Sequence, residues 1–182
     1  MNDKKLKRNI FFSTIILFFL GVGFHFVYNL LNKAFIIGLI APVNESVFEH
    51  LKLAIFPIFI WWTIFYLVKK DKFLIDKGRW FLGCFISIII SIMTILSIYY
   101  FVNCGLGKNI VIVDILSLYI ALVLGQFTGY HIYKYIKEID FLIAIGLVVI
   151  ILVISIVLTI NPPKLPLFED KSTRTYGIYR CG

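Results

Sequence analysis

Charge is scarce in this sequence, and acidic charge scarcest: 10 Asp and Glu stand against 18 Lys and Arg in 182 residues, so only 15% of the chain is charged. Soluble globular domains carry about 25%. With 60% hydrophobic residues and a mean hydropathy of +0.95, an ordinary soluble fold is excluded. Cysteine is sparse too. Cys84, Cys104 and Cys181 form no paired Cys-x-x-Cys spacing, which excludes a zinc-ribbon framework. Cys84 lies inside an apolar run and reads as a small packing residue. Cys104 and Cys181 fall on one side in the topology below, and their spacing leaves a disulfide open. The sharp catalytic signatures are missing as well. There is no His-Glu-x-x-His zinc-protease helix, no Gly-x-Ser-x-Gly elbow and no Walker phosphate loop. Nor do two adjacent glutamates precede an arginine, as in membrane-embedded prenyl-protein proteases.

What is present instead is a series of apolar runs. Five reach the ~20 residues that a spanning helix needs, at about 9–32, 44–68, 80–102, 110–133 and 141–160. The expected fold is all-α, a polytopic transmembrane helical bundle forming one domain over residues 1–160, followed by a polar extracytoplasmic tail over 161–182. The first run starts after the basic Lys4, Lys5, Lys7 and Arg8, as a signal peptide would. Because apolar character continues through Phe24, Phe26, Val27, Leu30 and Leu31, an uncleaved anchor is the preferred reading. The segment from Ala34 to Pro42 is too short to cross and reads as interfacial or re-entrant. Asn44 is the expected N-cap of the second span, with Pro42 at the first helical position as the rival start. Pro57 deprives Leu53 of its hydrogen-bond donor and predicts a kink.

The formal charge of +8 would suggest nucleic acid in a soluble chain. Here the cations flank apolar runs, so the bilayer is the expected partner and nucleic acid is not. Lys4, Lys5, Lys7, Arg8, Lys69, Lys70, Lys72, Lys77, Arg79, Lys134 and Lys137 fall on one side. Lys33, Lys108, Lys164, Lys171, Arg174 and Arg180 fall on the other. The positive-inside rule then puts the N-terminus in the cytoplasm and the tail outside, in a multi-pass protein of the cell membrane. Tyr28, Tyr99 and Tyr100 read as the outer aromatic belt, and Trp61, Trp62, Trp80 and Tyr133 as the inner one. Heavy use of Ile, Phe, Lys and Asn hints at an AT-rich bacterial genome. The tail reads as solvated, with Tyr176 and Tyr179 able to seat it at the interface.

Ionisable residues at membrane depth are costly and therefore functional suspects. His25 lies near the outer end of span one, Glu45, Glu49 and His50 at the mouth of span two, and Asp114 at the outer end of span four. Gly21, His25 and Asn29 share a helix face, and so do Glu45 and Glu49. The resulting candidate pocket comprises His25, Asn29, Asn44, Glu45, Glu49, His50 and Asp114. Two imidazoles and several carboxylates are ligand types that zinc, manganese or iron accept, and His25, Glu49, His50 and Asp114 are the candidate metal ligands. The same groups could carry a proton. The structural alternative pairs Glu49 with Lys52 or His50, and Asp114 with His25, merely to satisfy polar groups. His131 lies about 25 Å along its helix from Asp114 and reads as interfacial.

With no nucleophile in view, the best functional reading is a non-enzymatic cation- or proton-binding, transport-type protein. The enzyme alternative is a metal-dependent hydrolase or transferase on a lipid or envelope substrate, with Glu49 as general base. A third is a non-catalytic subunit of a membrane complex or a homo-oligomer. The small-residue faces of spans three (Gly83, Ser87, Ser91) and four (Ser117, Ala121, Gly125, Thr128) would then dock other helices.

The motif from Pro42 to Lys52 with Pro57 behind it, His25 ahead of it, and the tail from Pro166 to Ile178 together resemble an uncharacterised family of small bacterial integral membrane proteins, domain of unknown function 6512. Phe48 stands where that motif has Trp. The resemblance covers nearly the whole chain and implies the membrane architecture, but no activity, substrate or cofactor.

Overall fold

The computed structural model describes residues 2–107 and 111–178. Six α-helices and one small hairpin make up the described fold. They are α1 (Asn2–Leu30), α2 (Phe35–Ile40), α3 (Val47–Phe73), α4 (Lys77–Tyr100) with a π-helical end (Phe101–Gly105), α5 (Val111–Tyr135), α6 (Phe141–Ile160), β1 (Glu169–Asp170) and β2 (Thr175–Tyr176). Five helices are long and apolar enough to cross a membrane, as the five runs predicted. The last coincides with its predicted bounds, because Asp140 caps its start through the Leu142 N–H and Asn161-Pro162-Pro163 cannot continue it. Helix α1 starts earlier than its apolar run, carrying the exposed Lys4, Lys5, Lys7 and Arg8 on its first turns.

Helix ends follow local chemistry. Helix α1 closes with Asn32 in the left-handed region (φ 52°) and the Lys33 N–H on the Tyr28 carbonyl, a Schellman ending. The chain then turns into α2, whose six residues cannot cross a bilayer. Helix α3 is capped by Ser46, which accepts the Glu49 N–H, rather than by Asn44. The sequence Ser46-x-x-Glu49 carries the capping-box signature. Asn44 instead accepts the Ser46 N–H, forming an Asx turn ahead of the helix.

The core differs from the predicted aromatic belt. Trp62 and Trp80 are completely buried with ring centroids 4.4 Å apart. The Trp80 indole donates to the Trp62 carbonyl and the Trp62 indole to Gln126 on α5. A buried indole needs an acceptor, and at these two positions neighbouring helices provide it. The small faces of α4 and α5 pack against each other within the chain. A Cβ on Gly129 would stand 2.4 Å from the Gly83 carbonyl oxygen, and Ser91 donates to the Ala121 carbonyl. Over Gly83, Ser87, Ser91, Ala121 and Gly125, the faces expected to dock other helices meet each other. Lipid-type surface lies instead on α6, where Leu142, Ile143, Ile150 and Val153 are exposed.

Residues 166–178 close over the α2–α3 end rather than running free in solvent. Phe168 packs on Phe48 with centroids 4.5 Å apart, the Phe48 N–H donates to Leu167, and the Ile178 N–H donates to Thr159. Glu169 and Asp170 pair antiparallel with Tyr176 and Thr175. Cys181 and Tyr179 lie outside the described residues, and with them the Cys104–Cys181 pairing. Cys84 is buried and Cys104 exposed.

Candidate metal centre

Proline 57 sits inside α3, so the Leu53 carbonyl lacks its usual donor from four residues on. Helix α1 presents Gly21 to that carbonyl, at a distance that a side chain would not tolerate. One turn further along α1, His25 therefore meets the first turns of α3. Its ring lies 5.3 Å from that of His50, tilted by 32°.

Glu45, in the turn before α3, completes the group. His50 Nε2 lies 3.3 Å from one Glu45 oxygen and His25 Nε2 3.9 Å from the other. One ligand atom from each of the three residues lies within 4.8 Å of the others. In a tetrahedral site with bonds of 2.0–2.1 Å, ligand atoms stand about 3.4 Å apart, and the 3.3 Å between His50 Nε2 and its Glu45 oxygen already matches that spacing. His50 is also oriented to suit a ligand role. Its Nδ1 lies 2.9 Å from the Ser46 carbonyl, which can only accept, so Nδ1 carries the hydrogen. Nε2 faces the Glu45 carboxylate at 3.3 Å, where it donates a hydrogen bond as an imidazolium and would offer its lone pair to a metal on losing that proton. Glu45 is held in turn by the tail, its backbone N–H donating to Asp170. The hydrogen bond with His50, then the charges of both imidazoles, hold the Glu45 carboxyl below the usual range.

Glu49 belongs to a different cluster. It is 1% exposed and Lys52 0%, and both sit beneath α2. Lys52 Nζ donates to a Glu49 oxygen at 2.7 Å and to the carbonyls of Gly38 and Ala41. That same oxygen accepts the Val43 N–H, and the other faces the Thr159 hydroxyl at 3.0 Å. A buried carboxylate requires such a set of partners. Of the four predicted metal ligands, His25 and His50 thus come together, while Glu49 is turned inward. Asp114 on α5 is exposed and close enough for its charge to act on His50 and Lys171. Asn44 ties the turn to the tail through the Gly177 carbonyl, and Asn29 is exposed on the last turn of α1.

Sequence reasoning did not single out Ser46, Thr159 or Asp170. Ser46 was legible from its capping-box spacing. Thr159 and Asp170 carry no local signal, because their partners lie 110 and 125 residues away. Asp170 is nearly buried, and burial alone would raise its pKa. The Ser172 hydroxyl and N–H, followed by the Glu45 N–H, outweigh burial and bring it down to about 2.

Comparison with curated proteins and with solved structures finds no match. The family model described as "Family of unknown function (DUF6512)" matches residues 1–178, nearly the full chain, and the protein with its five membrane-length helices and His25–Glu45–His50 cluster belongs to that family.

Proposed function

We propose that this protein binds a divalent cation of the zinc class at one end of its helical bundle, through His25, Glu45 and His50, and that its role is cation binding or transport rather than catalysis. The observation that carries this reading is the convergence of the three ligand atoms with His50 Nδ1–H fixed on the Ser46 carbonyl. Two nitrogens and a carboxylate oxygen match the ligand preference of zinc, and three protein ligands leave a coordination position open. The metal, when bound, would neutralise Glu45 and polarise whatever occupies that position. Asp114 stands nearby as a further anionic group for an approaching cation. The hydrolase reading needs Glu49 as a base, and that carboxylate is enclosed by Lys52, Val43 and Thr159. The asymmetry of the cations supports a cytoplasmic N-terminus, and with that orientation the cluster would face outward from a bacterial plasma membrane.

The test is elemental mass spectrometry of the detergent-purified protein after zinc saturation and desalting, beside Glu45→Gln/His50→Ala and, as a control, His131→Ala. About one zinc per chain in the wild type and the control, with loss in the double variant at an unchanged melting temperature, supports the reading. Wild type that retains no metal, or a double variant that retains it all, overturns it.

A further inference from the structure

A second polar concavity lies at the other end of the bundle, formed by the start of α1, the end of α3, the start of α4 and the end of α5. It encloses about 280 Å³ and is lined by Asp3, Leu6, Phe73, Arg79, Tyr133 and Lys134. The one carboxylate in the lining is already engaged on both oxygens. Tyr130 donates to Asp3 Oδ1, and Lys134 Nζ donates to Oδ2 at 2.6 Å. Asp3 thus holds Lys134 at the rim, while the remaining donors of that ammonium point elsewhere than to Asp3. Among the described residues, Arg79 meets one carboxylate, and loosely. Its Nε lies 3.5 Å from Asp76, and its guanidinium carbon stands 5.9 Å from the centre of the Tyr133 ring. Both cationic side chains keep about a third of their surface exposed, 35% for Arg79 and 37% for Lys134.

We infer that this concavity binds a phosphate-bearing anion, held by Arg79 and Lys134 and presented either by an anionic phospholipid headgroup or by a free phosphate. A guanidinium whose Nε lies beside one carboxylate without a hydrogen bond to it can still offer its outer N–H groups to two phosphate oxygens, and a fixed ammonium beside it adds a second charge. The surroundings reinforce the sign, since Lys4, Lys7, Lys77 and Lys137 are exposed on the same end of the bundle. Leu6 and Phe73 give the concavity an apolar wall. Past it, the exposed Phe11 of α1 meets Phe127 of α5, a seam along which acyl chains would lie. A choline headgroup would bring a bulky cation to a cationic rim and is disfavoured.

The experiment follows the melting temperature of the detergent-purified full chain during titration with dihexanoyl phosphatidylglycerol, dihexanoyl phosphatidylcholine or inorganic phosphate at constant ionic strength. A saturable rise with phosphatidylglycerol, absent with phosphatidylcholine, is expected. Its midpoint should move at least tenfold higher in Arg79→Gln and several-fold in Arg79→Lys, which keeps the charge but loses the fork. Lys164→Gln, at the opposite end of the bundle, should leave it unchanged. A matching response to inorganic phosphate assigns the site to the free anion, and its absence assigns it to the lipid. Equal responses to the two lipids overturn the inference, as does an Arg79→Lys protein that melts normally and titrates like wild type.

Discussion

Gly21 of α1 lies against the Leu53 carbonyl of α3, so close that a Cβ at position 21 would stand 2.7 Å from that oxygen. Pro57 is the reason the carbonyl is there to be met, since it removes the donor that would otherwise engage it. Glycine offers a Cα–H at short range and brings His25, one turn on, within reach of His50.

Gly21→Val should therefore disturb both stability and the His pair. Overpacking of this kind typically costs about 1–3 kcal/mol, and it would force α1 away from α3. The expected outcome is a lower melting temperature together with weaker zinc retention. His25→Ala should weaken zinc retention with little loss of stability. A Gly21→Val protein as stable as wild type would show that the two helices have room to adjust.

The buried pair of Glu49 and Lys52 makes a separate prediction, readable by chemical denaturation in detergent. Lys52→Met leaves a carboxylate in an apolar site, a change that costs about 3–5 kcal/mol when a buried partner is lost. Glu49→Leu leaves the ammonium similarly stranded beneath α2, although the Gly38 and Ala41 carbonyls still accept from it. The double variant Glu49→Leu/Lys52→Met should be more stable than Lys52→Met alone. Additive losses would mean that the two groups do not act as a pair.

Asp170 ties the tail to the turn that carries Glu45, and its carboxyl is depressed to about 2 from an ordinary 3.8. A depressed carboxyl stabilises the folded state above its unfolded pKa and loses that contribution as pH falls through the folded one. The contribution, about 2 kcal/mol from the size of the shift, should be complete above pH ~4 and disappear between about 4 and 2. Amide exchange at Ser172 and Glu45, whose N–H groups donate to the Asp170 carboxylate, would report the loosening. In Asp170→Asn this loosening should already be present at pH 7. Identical protection in wild type and Asp170→Asn at pH 7 would rule out that anchoring role.

The architecture was legible in the sequence because bilayer thickness imposes its own length on every span. Five apolar runs of sufficient length, Asp140 before the last and Asn161-Pro162-Pro163 after it, suffice to place the helices, since these are local chemical facts. The same local reading put His25, Glu45, Glu49 and His50 at one end of the bundle. It also supplied Pro57, whose effect on Leu53 requires no knowledge of the rest of the chain.

Which groups meet was decided by the tertiary structure. Glu45 and Glu49 lie one helical turn apart, and nothing in their spacing says which joins the imidazoles. Lys52 and Thr159 draw Glu49 inward, because a carboxylate at 1% exposure must have a counter-ion and donors. Asp170, arriving from the far end of the chain, holds Glu45 outside with the histidines. The burial of Trp62 and Trp80 has the same origin. Their indoles find acceptors at Gln126 and at the Trp62 carbonyl only once α3, α4 and α5 have come together. Periodicity and composition speak for single helices, whereas the satisfaction of a buried polar group depends on what the neighbouring helix brings to it.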